Sequence, residues 1–188
     1  MLWGLLAAVI FLPIGWGLQQ ASALVMTHLP HWKMEPQEQL PIHALRVSLS
    51  WGGRLALGAA AVLLAPVAEE ALFRGILYPA IKQLELPRLA LWGNSPLFQG
   101  VLSRLFRRIL YPAIKRLGFP RLALWGNSLL FAAIHMNLVT FVPLLVLALV
   151  LTALYERTNN LLAPITAHVL FNLLNFVMLL ILQQTGSL

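Results

Sequence analysis

Two adjacent glutamates, Glu69 and Glu70, lie inside the apolar run L-L-A-P-V-A-E-E-A-L-F-R. A charged side chain at the centre of a membrane-spanning helix costs roughly 3 kcal/mol on insertion scales, so such residues generally mark a working site. Two histidines, His135 and His168, also lie in apolar runs. Carboxylates and imidazoles are the side chains that hydrolases most often use to move protons. The pattern therefore predicts an enzyme whose site is inside the membrane.

Helical spacing separates the two glutamates by role. Glu70 and Arg74 are four residues apart and share a helix face, where an ion pair can form. Glu69 points about 100° away around the same helix and is free to face a cavity. Pro66 is expected to loosen the helix just before them. We therefore interpret Glu69 as functional and the Glu70–Arg74 pair as a packing element that supports it.

The histidines have partners at the same spacing, since Phe131 precedes His135 by four residues and Asn172 follows His168 by four. A single histidine in an apolar helix is usually a hydrogen-bonded packing residue. Two of them, with an amide one turn beyond the second, favour a functional interpretation. Other chemistries lack their motifs: the chain has no cysteine, no H-E-x-x-H and no G-x-S-x-G.

Composition predicts an all-α, polytopic helical membrane protein. Hydrophobic residues make up 60% of the chain and charged residues 10%, whereas soluble domains have about 25% charged residues. We expect one integral-membrane domain, 1–188, with about five transmembrane helices. The predicted spans are 2–26, 51–84, 122–138, 141–155 and 161–182. We divide the domain into three parts: the first span within 1–26, the helix 51–84 with the glutamates, and the helices of 121–184 with the histidines.

Positive charge is concentrated in the middle of the chain. Nine of the thirteen Lys and Arg residues fall between Arg74 and Arg121. A basic loop between spans normally faces the cytoplasm, so we expect the 74–121 loop on that side of a bacterial plasma membrane. The net charge of +7 is then explained by topology and by contact with anionic lipid headgroups, with no nucleic-acid partner.

This basic stretch also contains a tandem repeat. Residues 72–98 recur at 105–131, with 22 of 27 aligned positions identical. The chemistry does not recur, because Leu102 aligns with Glu69 and also with His135, and Ser103 aligns with Glu70. We treat 75–107 as a duplicated insertion. Its most apolar part is shorter than a span, so an interfacial or re-entrant helical hairpin is expected.

Three short motifs resemble those of one family. They are E-E-A-L-F-R at 69–74, F-A-A-I-H at 131–135 and H-V-L-F-N at 168–172. In this order, on apolar helices, they resemble the motifs of the CPBP family of CAAX proteases and bacteriocin-processing enzymes, also called Abi-type intramembrane proteases. The resemblance spans roughly residues 55–184, and the extra 33 residues between the first two motifs depart from it.

The resemblance implies hydrolysis of a peptide bond in a membrane-embedded or lipidated substrate. Glu69 and His135 would activate the attacking water, while His168 and Asn172 would stabilise the oxyanion. Glu70, Arg74 and Phe131 would support the site. No cofactor is then required. In an alternative interpretation the enzyme is zinc-dependent, with Glu69, His135 and His168 as the metal ligands.

Two other functions fit the same sequence. A catalytically silent membrane protein of this fold could act as an immunity or partner-binding factor, with the duplication as the disabling change. A proton-relay transporter is a weaker interpretation, because the chain has no inverted repeat for alternating access. Retention of every motif residue favours the protease.

Overall fold

Residues 2–28, 50–83 and 119–184 are described by a computed structural model of the protein. These residues form five helices and no strand: α1 (Leu2–His28), α2 (Trp51–Lys82), α3 (Phe119–Ile134), α4 (Leu138–Thr158) and α5 (Leu162–Gln184). The predicted all-α architecture is confirmed. The part of the repeat between 84 and 118, which contains most of the predicted hairpin, lies outside the described residues.

Four of these helices, α1, α2, α4 and α5, are long and apolar enough to cross a membrane. Helix α3 has 16 residues, or about 24 Å of rise, and is shorter than a usual span. The helices expose many large apolar side chains, such as Val9, Leu64 and Ile181. An aqueous solvent would oppose such exposure, whereas lipid does not. The chain is therefore a polytopic helical membrane protein.

Contacts between side chains give the direction of each helix. Arg74 of α2 meets Ala148 and Thr152 of α4, and Lys82 meets Glu156, so α2 and α4 run parallel. Helix α5 runs antiparallel to α2, as shown by the contacts Glu70–His168 and Ala61–Asn172. Helix α3 runs antiparallel to α4, as shown by Asn127–Thr152 and Phe131–Ala148. Successive helices therefore alternate in direction, as the predicted topology requires.

Small residues allow close approach at two helix pairs. A Cβ on Gly4 would lie 2.5 Å from the carbonyl oxygen of Ala163, which brings α1 against the start of α5. A Cβ on Gly58 would lie 2.5 Å from the ring of Phe176, which brings α2 against α5. In lipid, where apolar burial gives little driving force between helices, such close backbone packing is a main source of association.

The interior is narrow and lies along α4. One cluster joins α1, α4 and α5 through Phe11, Leu147, Leu151, Leu154, Ala163 and Ala167. A second, smaller cluster joins α2, α3 and α4 through Phe73, Phe131 and Ala148. The polar residues described below are next to this second cluster, so the packing of α2 against α3 and α4 determines their positions.

Helix α2 is continuous but not uniformly α-helical. Two π-helical segments, Ala60–Leu64 and Ala71–Leu77, flank the short α-helical piece Ala65–Glu70 that carries both glutamates. Single π turns are rare and frequently accompany functional sites. The loosening expected near Pro66 is therefore present, and the second segment was not anticipated from the sequence.

The start of the predicted basic loop needs correction. Helix α2 continues to Lys82, within the predicted span 51–84, so residues 75–82, the first part of the duplicated stretch, belong to this helix and not to a loop. Arg74 is fully buried inside α2 and does not contribute charge to a loop. Lys82 pairs with Glu156 at the end of α4. The cytoplasmic side of this connection stays a prediction.

Candidate active site

Glu70 and Arg74 form the ion pair that their spacing predicts. Arg74 Nη1 donates to Glu70 Oε1 at 2.9 Å, and both side chains have no exposed surface. A buried pair of this kind is tolerated only when further hydrogen bonds satisfy its remaining groups. The surroundings of Arg74 supply them for the guanidinium, whereas Glu70 Oε2 has no hydrogen-bond partner among the described residues.

Helix α4 holds the rest of the Arg74 guanidinium. Its Nη2 donates to the carbonyl oxygen of Ala148 at 2.9 Å, and its Nε donates to Thr152 Oγ1 at 3.3 Å. The Arg74 Cζ lies 4.9 Å from the centre of the Phe131 ring, which is a cation–π contact from α3. Phe131 also packs edge-on against Phe73 at 5.1 Å. Arg74 thus joins α2, α3 and α4.

His168 lies between the two glutamates. Its Nδ1 is 2.9 Å from Glu70 Oε1, and its Nε2 is 3.7 Å from Glu69 Oε2. The histidine is buried, while the Glu69 side chain keeps 27% of its surface exposed. An ionised carboxylate only accepts, so Nδ1 carries a proton that it donates to Glu70. The partly exposed Glu69 faces the other ring nitrogen.

His135 is next to Phe131 but not inside a helix, contrary to the prediction. Helix α3 ends at Ile134, and Met136 takes the left-handed φ of 49° that turns the chain away. His135 Nδ1 lies 2.8 Å from the carbonyl oxygen of Phe131, which can only accept. Nδ1 is therefore the donor, and Nε2 keeps a lone pair. The ring centre is 4.9 Å from that of Phe131.

Asn172 is bound to the backbone of α2. Its Nδ2 donates to the carbonyl oxygen of Ala61 at 2.9 Å. This carbonyl lies in the first π segment, where Ala65 N–H already reaches back five residues to Ala60. The same register would assign Pro66 as the donor to Ala61, and proline has no N–H. Asn172 therefore supplies the hydrogen bond that Pro66 cannot give.

Asn175, which the sequence suggests holds helices together, does so. Its Oδ1 accepts a hydrogen bond from Trp16 Nε1 at 2.9 Å, and its Nδ2 donates to the carbonyl oxygen of Phe171 at 2.8 Å. This bond links α1 to α5 one turn beyond Asn172. It fixes the helix that carries His168 without taking part in the polar array around the glutamates.

Three buried polar residues next to Arg74 were missed by the sequence reasoning. Asn127 and Ser128 of α3 and Thr152 of α4 have no exposed surface. Asn127 Nδ2 donates to Thr152 Oγ1 at 3.5 Å, although Asn127 Oδ1 and Ser128 Oγ have no partner among the described residues. The available signal was their polarity within apolar helices, which by itself indicates a functional or packing constraint.

The zinc alternative requires three converging ligands. Among the described residues, no three His, Cys, Asp or Glu side chains are positioned to hold a metal ion together. Glu69 and His168 Nε2 are close to each other, but His135 does not join them in a three-residue ligand set. This arrangement does not fit the three protein ligands of a catalytic zinc site.

The structure thus brings Glu69, Glu70, Arg74 and His168 into one array, with Phe131 against it. His135 contacts the same aromatic ring, whose centre is 5.9 Å from that of His168. The close partner of Glu69 is His168, whereas the motif roles pair Glu69 with His135. Asn172 is held on the same side of α5, one turn along, by α2.

A comparison with protein families identifies the family of the chain. The model of Rce1-like type II CAAX prenyl endopeptidases matches residues 50–102 and 104–174, more than half of the chain. Each matched segment contains one copy of the repeat; the first also contains the glutamates and the second both histidines. No curated protein and no solved structure gave a significant match. The matched segments contain the whole polar array, and the chain belongs to the Rce1-like family of CAAX prenyl endopeptidases.

Proposed function

We propose that the protein is an intramembrane endopeptidase in which Glu69 activates a water molecule to cleave a membrane-associated peptide. The observation that carries the proposal is the position of His168, buried between Glu70 Oε1 at 2.9 Å and Glu69 Oε2 at 3.7 Å. The array lies among helices α2, α4 and α5, each long and apolar enough to cross a membrane, so the reaction would take place within the membrane domain.

Charge counting indicates how many protons the site holds. Two carboxylates and the guanidinium of Arg74 leave one net negative charge if His168 is neutral. Burying an uncompensated charge is costly, so the array favours one additional proton. Glu70 is already engaged by Arg74, and Glu69 Oε2 faces His168 Nε2. In this proposal Glu69 and His168, whose facing atoms are 3.7 Å apart, are the two groups that can take up this proton, as acid–base catalysis requires.

The proposed reaction uses each of these groups. The water oxygen bonds to the scissile carbonyl carbon as Glu69 takes a proton from the water, and His135 Nε2 accepts a hydrogen bond from the same water. Protonated His168 donates from Nε2 to the oxyanion. The carbon–nitrogen bond then breaks, and Glu69 passes its proton to the leaving amine. Electrostatic stabilisation of this kind is usually the largest part of catalysis in acyl transfer.

Asn172 has two amide hydrogens, and only one is used on Ala61. We assign the second to the oxyanion, beside His168. The bond to Ala61 would then orient the amide for this task. In this scheme Pro66 has an indirect role, because it leaves the carbonyl that holds Asn172 in place.

The substrate class follows from the family description and from the membrane setting. A peptide whose carboxy-terminal C-a-a-X cysteine is prenylated would dissolve its lipid in the bilayer and bring its backbone to the site.

The test is cleavage of an internally quenched prenylated peptide by the full-length protein in detergent micelles. Glu69→Gln should abolish cleavage, and a chelator should leave it unchanged. Cleavage that survives Glu69→Gln contradicts the proposal, and loss with chelator favours zinc.

A second candidate is a catalytically silent binding protein. The observation that favours it is the 33-residue offset between the repeat copies, which separates the first motif from the second. A folded protein that binds the prenylated peptide without cleaving it would support this candidate. Binding measured by fluorescence of the same peptide therefore separates the two functions.

A further inference from the structure

The roles above leave the buried hydroxyl of Thr152 unexplained. It donates to the carbonyl oxygen of Ala148 at 2.8 Å, one turn back in α4. It also accepts from Arg74 Nε at 3.3 Å and from Asn127 Nδ2 at 3.5 Å. One donated and two accepted hydrogen bonds use the full capacity of a hydroxyl. Thr152 therefore has a fixed orientation between three helices.

This orientation determines where Arg74 points. The guanidinium is planar, and its Nε and Nη2 are both fixed on α4, by Thr152 and by the carbonyl of Ala148. Two fixed points set the plane of a rigid fork, so the direction of the third bond, from Nη1 to Glu70 Oε1, follows. Without Thr152, the Ala148 carbonyl is the one remaining hydrogen-bond partner of the guanidinium on α4, and the fork can pivot together with Glu70.

Glu70 transmits the same constraint to His168. The oxygen that receives Arg74 Nη1 also receives His168 Nδ1, each at 2.9 Å. The position of this oxygen keeps the proton on Nδ1 and directs Nε2 toward Glu69. A continuous series of hydrogen bonds thus joins Thr152 to the proposed acid–base pair.

Stability alone does not account for this network. Asn127 is fully buried, yet its Oδ1 has no partner among the described residues. A buried polar atom without a partner costs free energy, and an apolar side chain of the same size would avoid that cost. The amide is therefore better explained by its donation to Thr152 than by packing.

We infer that Thr152 is a positioning residue, which orients Arg74 and, through Glu70, fixes the ring nitrogen of His168 that carries the proton. This inference rests on the proposed function for its consequence in catalysis. Its structural part can be tested without any substrate.

The experiment uses the full-length protein with ¹⁵N-labelled histidine in detergent micelles. Nuclear magnetic resonance reports which ring nitrogen of His168 is protonated, and His168→Gln identifies the signal. The test variant is Thr152→Val, which keeps the shape and removes the hydroxyl. Thr152→Ser restores the hydroxyl, and Thr158→Val is the matched control, since Thr158 makes the same bond one turn back to Leu154, at 2.8 Å.

In the wild type we expect Nδ1 of His168 to be protonated in every molecule, whatever the state of Nε2, and in Thr152→Val we expect part of the molecules to lack the proton on Nδ1. Thr152→Ser and Thr158→Val should give the wild-type signal. Turnover of the prenylated peptide by Thr152→Val should fall about tenfold, since a misplacement of roughly 1 Å can cost about 10²-fold. A folded Thr152→Val with an unchanged His168 signal overturns the inference, as does an equal change in Thr158→Val.

If Thr152→Val does not fold, Asn127→Ala tests the inference instead. This variant removes the hydrogen bond that Asn127 donates to Thr152 and leaves the hydrogen bonds of Arg74 in place. It should shift the His168 signal in the same direction by less, and an unchanged signal, or unfolding of this variant as well, overturns the inference. A parent protein that lacks peptidase activity contradicts the proposed function, while the His168 signal still decides the role of Thr152.

Discussion

The two copies of the 27-residue repeat have nearly the same sequence and different neighbours. Glu69 and Glu70 precede the first copy, and Leu102 and Ser103 precede the second. His135 follows the second copy, and Leu102 occupies the matching position after the first. The copies could exchange their packing contacts residue for residue, but not their chemistry. Sequence identity within the repeat therefore says little about which copy serves the site.

The structure shows which parts are used. Helix α2 contains the front of the first copy, and α3 contains the back of the second. Phe73 from one and Phe131 from the other lie 5.1 Å apart, and Arg74 from the first copy lies over Phe131 from the second. Among the described residues, this combination places the glutamates and His135 around one packing cluster. The comparison predicts that equivalent substitutions in the two copies will have unequal effects.

The largest effect is expected just before the first copy. Glu69→Gln should reduce turnover by about 10²-fold or more, since it removes the proposed general base and keeps its size. The amide should leave folding and membrane insertion intact, because Glu69 is partly exposed and outside the Glu70–Arg74 pair. Turnover is measured with the quenched prenylated peptide.

Glu156→Gln is the matched control. Glu156 also pairs with a basic residue, Lys82, but both side chains are more than one-third exposed. Exposed pairs contribute about 0–1 kcal/mol to stability, so this variant should keep its activity. Equal losses in Glu69→Gln and Glu156→Gln would mean that carboxylates matter here only for insertion.

The next effect concerns the two histidines, one from each side of the Phe131 ring. His135→Ala and His168→Ala should each lose most activity, and Asn172→Ala should be impaired. Groups that act on one transition state are not additive, so the double histidine variant should be little worse than either single variant. Additive losses in turnover would assign the histidines to separate structural roles.

A comparison of Arg74→Leu with Arg107→Leu tests the copies directly, because the two arginines occupy the same repeat position. Arg74→Leu should destabilise the protein by about 3–5 kcal/mol, since it leaves Glu70 buried without its partner. Arg107→Leu should stay within about 0.5 kcal/mol, because Ser103 and not a glutamate stands four residues before Arg107, so no such ion pair is lost. Unfolding in detergent with added denaturant measures both. Similar losses would show that the second copy can take the place of the first.

Sequence patterns gave the helical class and the Glu70–Arg74 pair, because apolar length and the four-residue period are local properties. The resemblance to the family motifs grouped Phe131 and His168 with that pair, and both lie next to it, whereas His135 contacts only Phe131 among them. The end of α3 before His135 was not predictable, since it depends on the left-handed turn at Met136. The contact between Glu69 and His168 joins residues 99 positions apart, and only the packing of α2 against α5 produces it.

The smallest effect is expected from removing the extra copy. Deleting 75–107 leaves all three motifs, and the shortened protein should insert with the same topology and be at least as stable and active. Loop length changes closure entropy only slightly. Deleting 76–108 instead keeps Gly75, where an added Cβ would lie 3.4 Å from Leu161 Cδ1. The second deletion should therefore be the more stable of the two.

Accessibility tagging of both termini checks this prediction. If either deletion moves the carboxy terminus to the other side of the membrane, the removed segment crosses the bilayer and the expected hairpin is wrong. If both deletions lose activity with topology unchanged, the deleted residues contribute to the site in a way that the described helices do not show.

The charge balance around His168 also has an electrical consequence. In the proposed mechanism one added proton on Glu69 or His168 brings the charges of Glu69, Glu70, Arg74 and His168 to zero, and the reaction moves a proton only between neighbouring atoms. Carrying one elementary charge across a whole membrane involves about 2.3 kcal/mol per 100 mV. Hydrolysis at a neutral site involves almost none of this, whereas a proton-relay transporter would. Turnover in sealed vesicles should therefore be the same with and without a potassium diffusion potential.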